Sequence, residues 1–181
     1  MFFDPAQFPW TRELERHFAA IREEFEAVDR RRLVLWPERA IYNHGWEVFG
    51  LYALGRRLDD NCASCPRLAA ALAAIPGLTT AGFSLLAPGT VIKPHRGFTS
   101  TVLRCHLGIS VPGYCGLRVG DEIRAWEEGR CLVFDDTVEH EAWNLSDRPR
   151  IVLLLDVVRL GATFESDFPG NQALLDYFGV R

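Results

Sequence analysis

Apolar and polar positions change period near residue 78 of this chain. Before it, Leu14, Phe18, Ile21, Phe25 and Val28 recur at three- to four-residue spacing with charges between them. That pattern predicts an amphipathic helix with Thr11 as its N-cap and a stripe that packs on a core. Arg30-Arg31-Arg32 follows as a solvated helix end, where cations suit the dipole. Residues 67–75, rich in alanine and leucine, predict a second short helix stopped by Pro76-Gly77. Between the helices, residues 36–55 are dense in aromatics (Tyr42, Trp46, Phe49, Tyr52), with turn signals at Pro37 and Asn43-His44-Gly45. Beyond residue 78 the period falls to two. Residues 79–86, 102–111, 116–119, 122–126, 131–134 and 151–158 read as strands, separated by Pro88-Gly89, Pro112-Gly113, Gly120-Asp121 and Glu128-Gly129. Short strands at short spacing after a helical start predict a mainly β fold with flanking α-helices, a jelly roll or β-sandwich. The organisation expected is one domain over 1–181: a helical part (1–77), a β core (78–160) and a tail (161–181) that folds back as a short helix. Such a double-sheet barrel carries its site in the mouth between the sheets.

Composition narrows the functional classes. Nearly half of the 181 residues are apolar, enough for a core, and the net charge of -4 without a basic tract argues against nucleic acid as a partner. No run of about 18 apolar residues exists, so no membrane span is expected. Met1-Phe2-Phe3-Asp4-Pro5 has neither the basic nor the apolar region of a signal peptide, and the expected location is cytoplasmic. Five cysteines do not form a disulfide framework, and the lone Cys62-Ala63-Ser64-Cys65 cannot supply a four-thiolate zinc site. That pair is expected to be structural, and Cys105 to be buried.

The candidate chemistry lies in the strand-rich half. His95 sits in Lys93-Pro94-His95-Arg96-Gly97, and His140 in Phe134-Asp135-Asp136-Thr137-Val138-Glu139-His140-Glu141. Arg150 opens the apolar run that follows. Two neutral imidazoles with a distal arginine suit a redox iron that works with an anionic co-substrate. Both histidines are expected at loop edges that converge on the barrel mouth. The carboxylate that usually completes such a set stands two residues after the first histidine, where this chain has Gly97. Asp136 either hydrogen-bonds a metal-bound water instead or, with Asp135, only holds a turn. Arg150 is placed to hold a distal carboxylate through a bidentate fork. Arg104 and His106 alternate on one strand and share a face, which suggests an anionic ligand; Cys105 faces the other way. His17 and His44 are set aside as solvated, His44 keeping a minor chance of touching substrate.

These residues resemble the aspartyl/asparaginyl β-hydroxylase family, which includes lipid A hydroxylases. The resemblance rests on Leu86-Ala87-Pro88-Gly89-Thr90 leading to Pro94-His95, on Leu103-Arg104-Cys105-His106-Leu107-Gly108, on Trp126-Glu127-Glu128-Gly129, and on Phe134-Asp135-Asp136 through Glu139-His140-Glu141-Ala142-Trp143. It covers roughly residues 42–158. It implies a double-stranded β-helix, Fe(II) and 2-oxoglutarate as cofactors, and molecular oxygen as co-substrate. It implies His95 and His140 as iron ligands and Asp136 as the contact to a water that fills the Gly97 position, as in the animal members. Arg150 and Ser84 then hold the distal carboxylate of 2-oxoglutarate, and Arg104 and His106 lie near its other end. Trp46 and Arg56 fall on the substrate side. No membrane anchor or helical-repeat region like those of the relatives is expected. The substrate expected is a small molecule: amino-acid-like, peptidyl or carrier-bound, with Asp/Asn-type β-carbon hydroxylation favoured. Arg56, Arg57 and Arg96 beside the aromatic stretch hint at an anionic substrate.

Three other readings compete. The vacant carboxylate position leaves room for chloride, as in an iron halogenase. The domain can be a non-catalytic barrel that binds a metal or small anion. It can also be a structural sandwich, which two histidine rings more than about 6 Å apart would favour, since metal–imidazole bonds are only about 2.1 Å long.

Overall fold

The computed structural model describes residues 1–164 and 171–179. In chain order the elements are β1 (Phe2–Phe3), α1 (Pro9–Arg16), α2 (Phe18–Ala27), β2 (Val34–Leu35), β3 (Trp46–Ala53), β4 (Arg56–Arg57), α3 (Asp59–Ser64) and α4 (Pro66–Ala73). Then follow β5 (Leu78–Leu86), β6 (Thr90–His95), β7 (Val102–Ser110), β8 (Cys115–Val119), β9 (Glu122–Arg124), β10 (Cys131–Phe134), β11 (His140–Asn144), β12 (Arg150–Val158) and α5 (Asn171–Tyr177). Among the described residues the strands form two sheets. The eight-stranded one runs β1-β10-β7-β12-β5-β3-β2, with β4 also on β3, and the four-stranded one runs β6-β11-β8-β9. The two face each other as a double-stranded β-helix, a jelly roll.

The large sheet is buried on both faces, which explains why its central strands are apolar almost throughout. On its outer face Phe83, Leu85, Cys105, Leu107, Leu153 and Leu155 pack on Leu14, Ile21, Phe25, Leu68 and Leu72 of the helices. On its inner face Trp46, Val48, Leu86, Phe134 and Val152 meet Ile92, Leu117, Val119 and Ala142 of the small sheet. A strand residue chooses between helices and barrel interior by parity alone. Cys105 therefore lies in the helix-packed core, while Arg104 and His106 face the barrel.

The structure departs from the sequence expectation in four places. The long first helix is two helices, α1 and α2, broken at His17, yet Leu14, Ile21, Phe25 and Val28 still form one buried stripe. Thr11 is not the N-cap; it lies inside α1, which starts at Pro9, and its hydroxyl donates to the carbonyls of Pro5 and Phe8 (2.8 Å each). The first 77 residues are not only helical, since β3 pairs along β5 and joins the large sheet. His95 and His140 are not loop residues: the first ends β6 and the second begins β11. Of the tail expected to fold as a helix from residue 164, α5 covers Asn171–Tyr177, and residues 165–170 and 180–181 lie outside the described residues. Cys62 and Cys65 are buried against the helices, and burial pushes the Cys65 thiol up to about 11, which leaves a structural pair rather than a redox one. Among the described residues no helix is long and apolar enough to cross a membrane.

Asn144 ties the two sheets together. From β11 its amide donates to the carbonyls of Leu86 (2.9 Å), Ala87 (3.2 Å) and Arg148 (2.8 Å), and its oxygen accepts from Ser146. The side chain is fully buried. Asn144→Ala removes three buried hydrogen bonds at once and is expected to lower stability by about 1–3 kcal/mol, measured by urea unfolding.

Candidate active site

Strand pairing builds the centre of the site. β11 runs antiparallel to β6 in a register that sets His140 directly opposite His95, and the ring centroids lie 4.1 Å apart with planes at 52°. His95 Nδ1 lies 2.8 Å from the carbonyl of Lys93, and His140 Nδ1 lies 3.0 Å from that of Val138. A carbonyl only accepts, so each Nδ1 carries the hydrogen and each Nε2 keeps its lone pair. Burial, with a further push from His95, lowers the His140 pKa to about 3, so this ring is neutral at physiological pH. Two rings this close, each with Nδ1 turned to a carbonyl, can present both Nε2 atoms to one metal ion. No cluster of three or more His, Cys, Asp or Glu side chains with metal-binding geometry occurs among the described residues. The donor set is therefore two imidazoles with a carboxylate nearby, and it fits a metal ion that keeps open positions.

That carboxylate is Asp136. The Gly97 amide donates to the Asp136 carbonyl at 2.7 Å, and a Cβ placed on Gly97 would overlap the Asp136 carboxylate. Asp136 thus fills the space a side chain at 97 would need. Its Oδ2 faces Arg104 Nη1 at 3.3 Å, while its Oδ1 is buried without a partner. Burial raises its pKa and Arg104 opposes that shift. The turn role falls to Asp135, whose carboxylate accepts from the Thr137 amide and hydroxyl.

Arg104 is placed otherwise than expected. Its Nε and Nη2 donate to the two oxygens of Asp156 at 2.8 and 2.9 Å, and its third nitrogen faces Asp136. The guanidinium is committed to two protein carboxylates and offers no free fork to one end of 2-oxoglutarate. Arg150 is the reverse case. It is buried with no carboxylate within ion-pair distance among the described residues. Its Nε has no partner, its Nη1 makes one long bond (3.4 Å) to the Ser84 carbonyl, and its guanidinium rests 4.6 Å above the Trp126 ring. Burial lowers its pKa to about 9, so it is still charged at neutral pH.

Two more donors point into the same interior. The Trp46 indole donates to Ser84 Oγ at 3.0 Å, which leaves the Ser84 hydroxyl hydrogen free to donate. The Trp126 indole donates to His106 Nδ1 at 3.2 Å. Burial, reinforced by Arg150, holds His106 well below its usual pKa, so the ring is neutral with its hydrogen on Nε2, a buried atom without a partner. A lone buried cation with two unpaired donors is the chemistry of an anion site.

An apolar cavity opens beside His95. Trp36, Trp46, Val48, Tyr52, Leu154 and Phe178 form much of its wall, with Ser84, His95, Gly97, Arg104, Asp136 and Asp156 along one side. Trp46 stacks on Trp36 at 4.6 Å. Arg56, expected on the substrate side, is exposed on β4 and does not line the cavity; Arg57 there pairs with Asp59. Arg96 does line it and donates to the Thr137 carbonyl at 3.0 Å. His44 is exposed and stays outside.

Comparison with known proteins decides the family. The family described as Aspartyl/Asparaginyl beta-hydroxylase matches residues 15–160 of this chain. The chain belongs to the aspartyl/asparaginyl beta-hydroxylase family. It is 40% identical over 168 residues to the ornithine lipid ester-linked acyl 2-hydroxylase of Rhizobium tropici, covering 87% of this chain and 60% of that protein. It is 36% identical over 155 residues to human aspartyl/asparaginyl beta-hydroxylase, covering 81% of this chain and 20% of that protein. The chain thus spans between a fifth and three-fifths of the length of these relatives. In fold it is similar to a Pseudomonas putida prolyl-4-hydroxylase, with a TM-score of 0.51 at 21% identity over 82% of this chain and 87% of that one.

Within the family-matched segment, sequence reasoning missed two functional residues. Trp126 holds both His106 and Arg150, and its signal was an isolated tryptophan at a strand end. Asp156 clamps Arg104, and its signal was a single acid in the apolar run 151–158. Arg150→Met removes a buried charge that no protein carboxylate offsets. It is expected to leave the ligand-free protein as stable or about 1–3 kcal/mol more stable in urea unfolding, while abolishing anion binding.

Proposed function

We propose that this chain is an iron(II)- and 2-oxoglutarate-dependent hydroxylase. The observation that carries the reading is the pairing of two imidazoles whose Nε2 atoms are free with a buried guanidinium that has no carboxylate among the described residues. His95 and His140 would hold the iron through Nε2. Bound there with 2-oxoglutarate and molecular oxygen, the iron supplies the oxidising power to hydroxylate an unactivated C–H, with succinate and carbon dioxide as co-products. Asp136, whose carboxylate fills the space beside Gly97, would accept a hydrogen bond through Oδ1 from a water on the metal. Arg150 and the Ser84 hydroxyl hold the distal carboxylate of 2-oxoglutarate, and His106 Nε2–H donates to an anionic oxygen nearer the iron. Trp126 and Trp46 orient these donors and keep water from them. The Asp136 carboxylate beside Gly97 also opposes an anionic halide there, which favours hydroxylation over halogenation.

The relatives' names share one chemical feature. Carbon 2 of an ester-linked acyl group and the β-carbon of an aspartyl residue both stand next to a carbonyl carbon. We infer the same for this chain: a C–H adjacent to a carbonyl or carboxyl group. The apolar cavity beside His95 supports a substrate with an apolar body, such as an acyl chain. Of the cations in that wall Arg104 is already held by Asp136 and Asp156, and Arg96, bonded only to the Thr137 carbonyl, is the one that an anionic head group beside the acyl carbonyl would meet.

The test is incubation with Fe(II), 2-oxoglutarate and either acyl esters or aspartyl peptides, read by mass spectrometry. The expected outcome is a gain of one oxygen on the acyl compounds, matched by succinate and unchanged by added chloride. His140→Ala is expected to abolish both product and iron binding; full activity in that variant would remove the site assignment. Ser84→Ala, which loses one hydrogen bond to a charged group, is expected to raise the KM for 2-oxoglutarate about tenfold with kcat nearly unchanged.

A further inference from the structure

Asp156 has no part in the chemistry above, yet it is a buried acid on the cavity wall. It stands on β12 opposite Arg104 on β7, and the β12–β5 register shifts between Asp156 and Val157. A β-bulge of this kind re-aims a side chain. The Thr79 hydroxyl donates to the Asp156 carbonyl at 3.0 Å and braces the irregular backbone. The result is the parallel two-bond fork from Arg104 to Asp156, at 2.8 and 2.9 Å. Such a fork fixes the plane of the guanidinium as well as its position. The third nitrogen, Nη1, is thereby directed at Asp136 Oδ2, 3.3 Å away.

We propose that Asp156 is a positioning residue for the metal site: by locking Arg104 it holds one oxygen of Asp136 and leaves the other in a set direction beside Gly97. The proposal rests on the reading that His95 and His140 hold a metal ion. A carboxylate with both oxygens free can rotate and present either one. With Oδ2 held, Oδ1 alone is unpaired, and it lies against the glycine that stands where the third ligand would be. Arg104 also lines the cavity, so without Asp156 its guanidinium would be free to turn toward any anion that enters.

The experiment is a double-mutant cycle read by cobalt(II) in place of iron, through its visible absorption and affinity rather than turnover. Asp156→Asn keeps the shape and one acceptor for Arg104 but removes the charged fork. It is expected to weaken cobalt(II) binding about tenfold and to shift the visible bands in the same sense as Asp136→Asn. The double variant is expected to be no worse than Asp136→Asn alone, because both changes break one chain of contacts. Wild-type affinity and spectrum in Asp156→Asn, or effects that simply add, would overturn the proposal, since a merely structural acid leaves the cobalt spectrum unmoved. If Asp156→Asn does not fold, Arg104→Lys serves, because it keeps the charge but cannot fork onto two carboxylates. The same spectral shift supports the proposal and a wild-type spectrum overturns it. Wild-type protein that binds no cobalt(II) overturns the site reading and this proposal together. Binding that Asp156→Asn leaves unchanged overturns this proposal alone.

Discussion

Arg150 is a guanidinium with almost no exposed surface and, among the described residues, no carboxylate on it. Burying a charge without a partner costs several kcal/mol, so a fold keeps one only where something else balances it. Among the described residues two arginines and two acids face the barrel interior: Arg150, Asp136 and Asp156 are buried, and Arg104 is partly buried. Their formal charges cancel as a set, but the contacts are uneven: both acids gather on Arg104, and Arg150 is left alone. The interior is therefore polarised, with an electropositive end at Arg150 and an electronegative end next to the imidazoles.

That polarity depends on a rigid frame. The large sheet is clamped between two cores, the helix layer outside and the small sheet inside, so the inward-facing side chains of β5, β7 and β12 have little freedom to move. Two indoles do the finer work. Trp46 pins Ser84, and Trp126 holds His106 while lying under Arg150. Each presents an apolar body to the barrel and one N–H to a polar group, which allows the site to be both dry and hydrogen-bonded. Asn144 fastens β11, and with it His140, to the end of β5.

Much of this was legible in the residues. The change of period near residue 78 marked the start of the long strands, and the alternation Arg104-Cys105-His106 put two polar side chains on one face and a thiol on the other. The histidines, Gly97, Asp136 and Arg150 were named from their pattern in the chain and Ser84 from the family resemblance, and the structure brings them into one barrel interior. The strands β3, β6 and β11 were not legible. Lys93-Pro94 and Glu139-His140-Glu141 carry charge and a proline where a strand is expected to be apolar, and propensity is outweighed here by pairing with a neighbouring strand. Arg56 was placed on the substrate side by the family resemblance alone, and the β3–β4 hairpin leaves it exposed and off the cavity wall.

The sequence by itself determined which faces of each element are apolar and which side chains can carry redox-metal and anion chemistry, because burial parity and functional groups are local properties. Only the tertiary structure decided which charges meet. Asp156 was one acid in an apolar strand until β12 paired with β7 and set it opposite Arg104. Arg150 was one arginine among many until the barrel closed around it and left it without a carboxylate. Electrostatic partnership depends on distances between strands far apart in the chain, and those exist only once the two sheets have closed on each other.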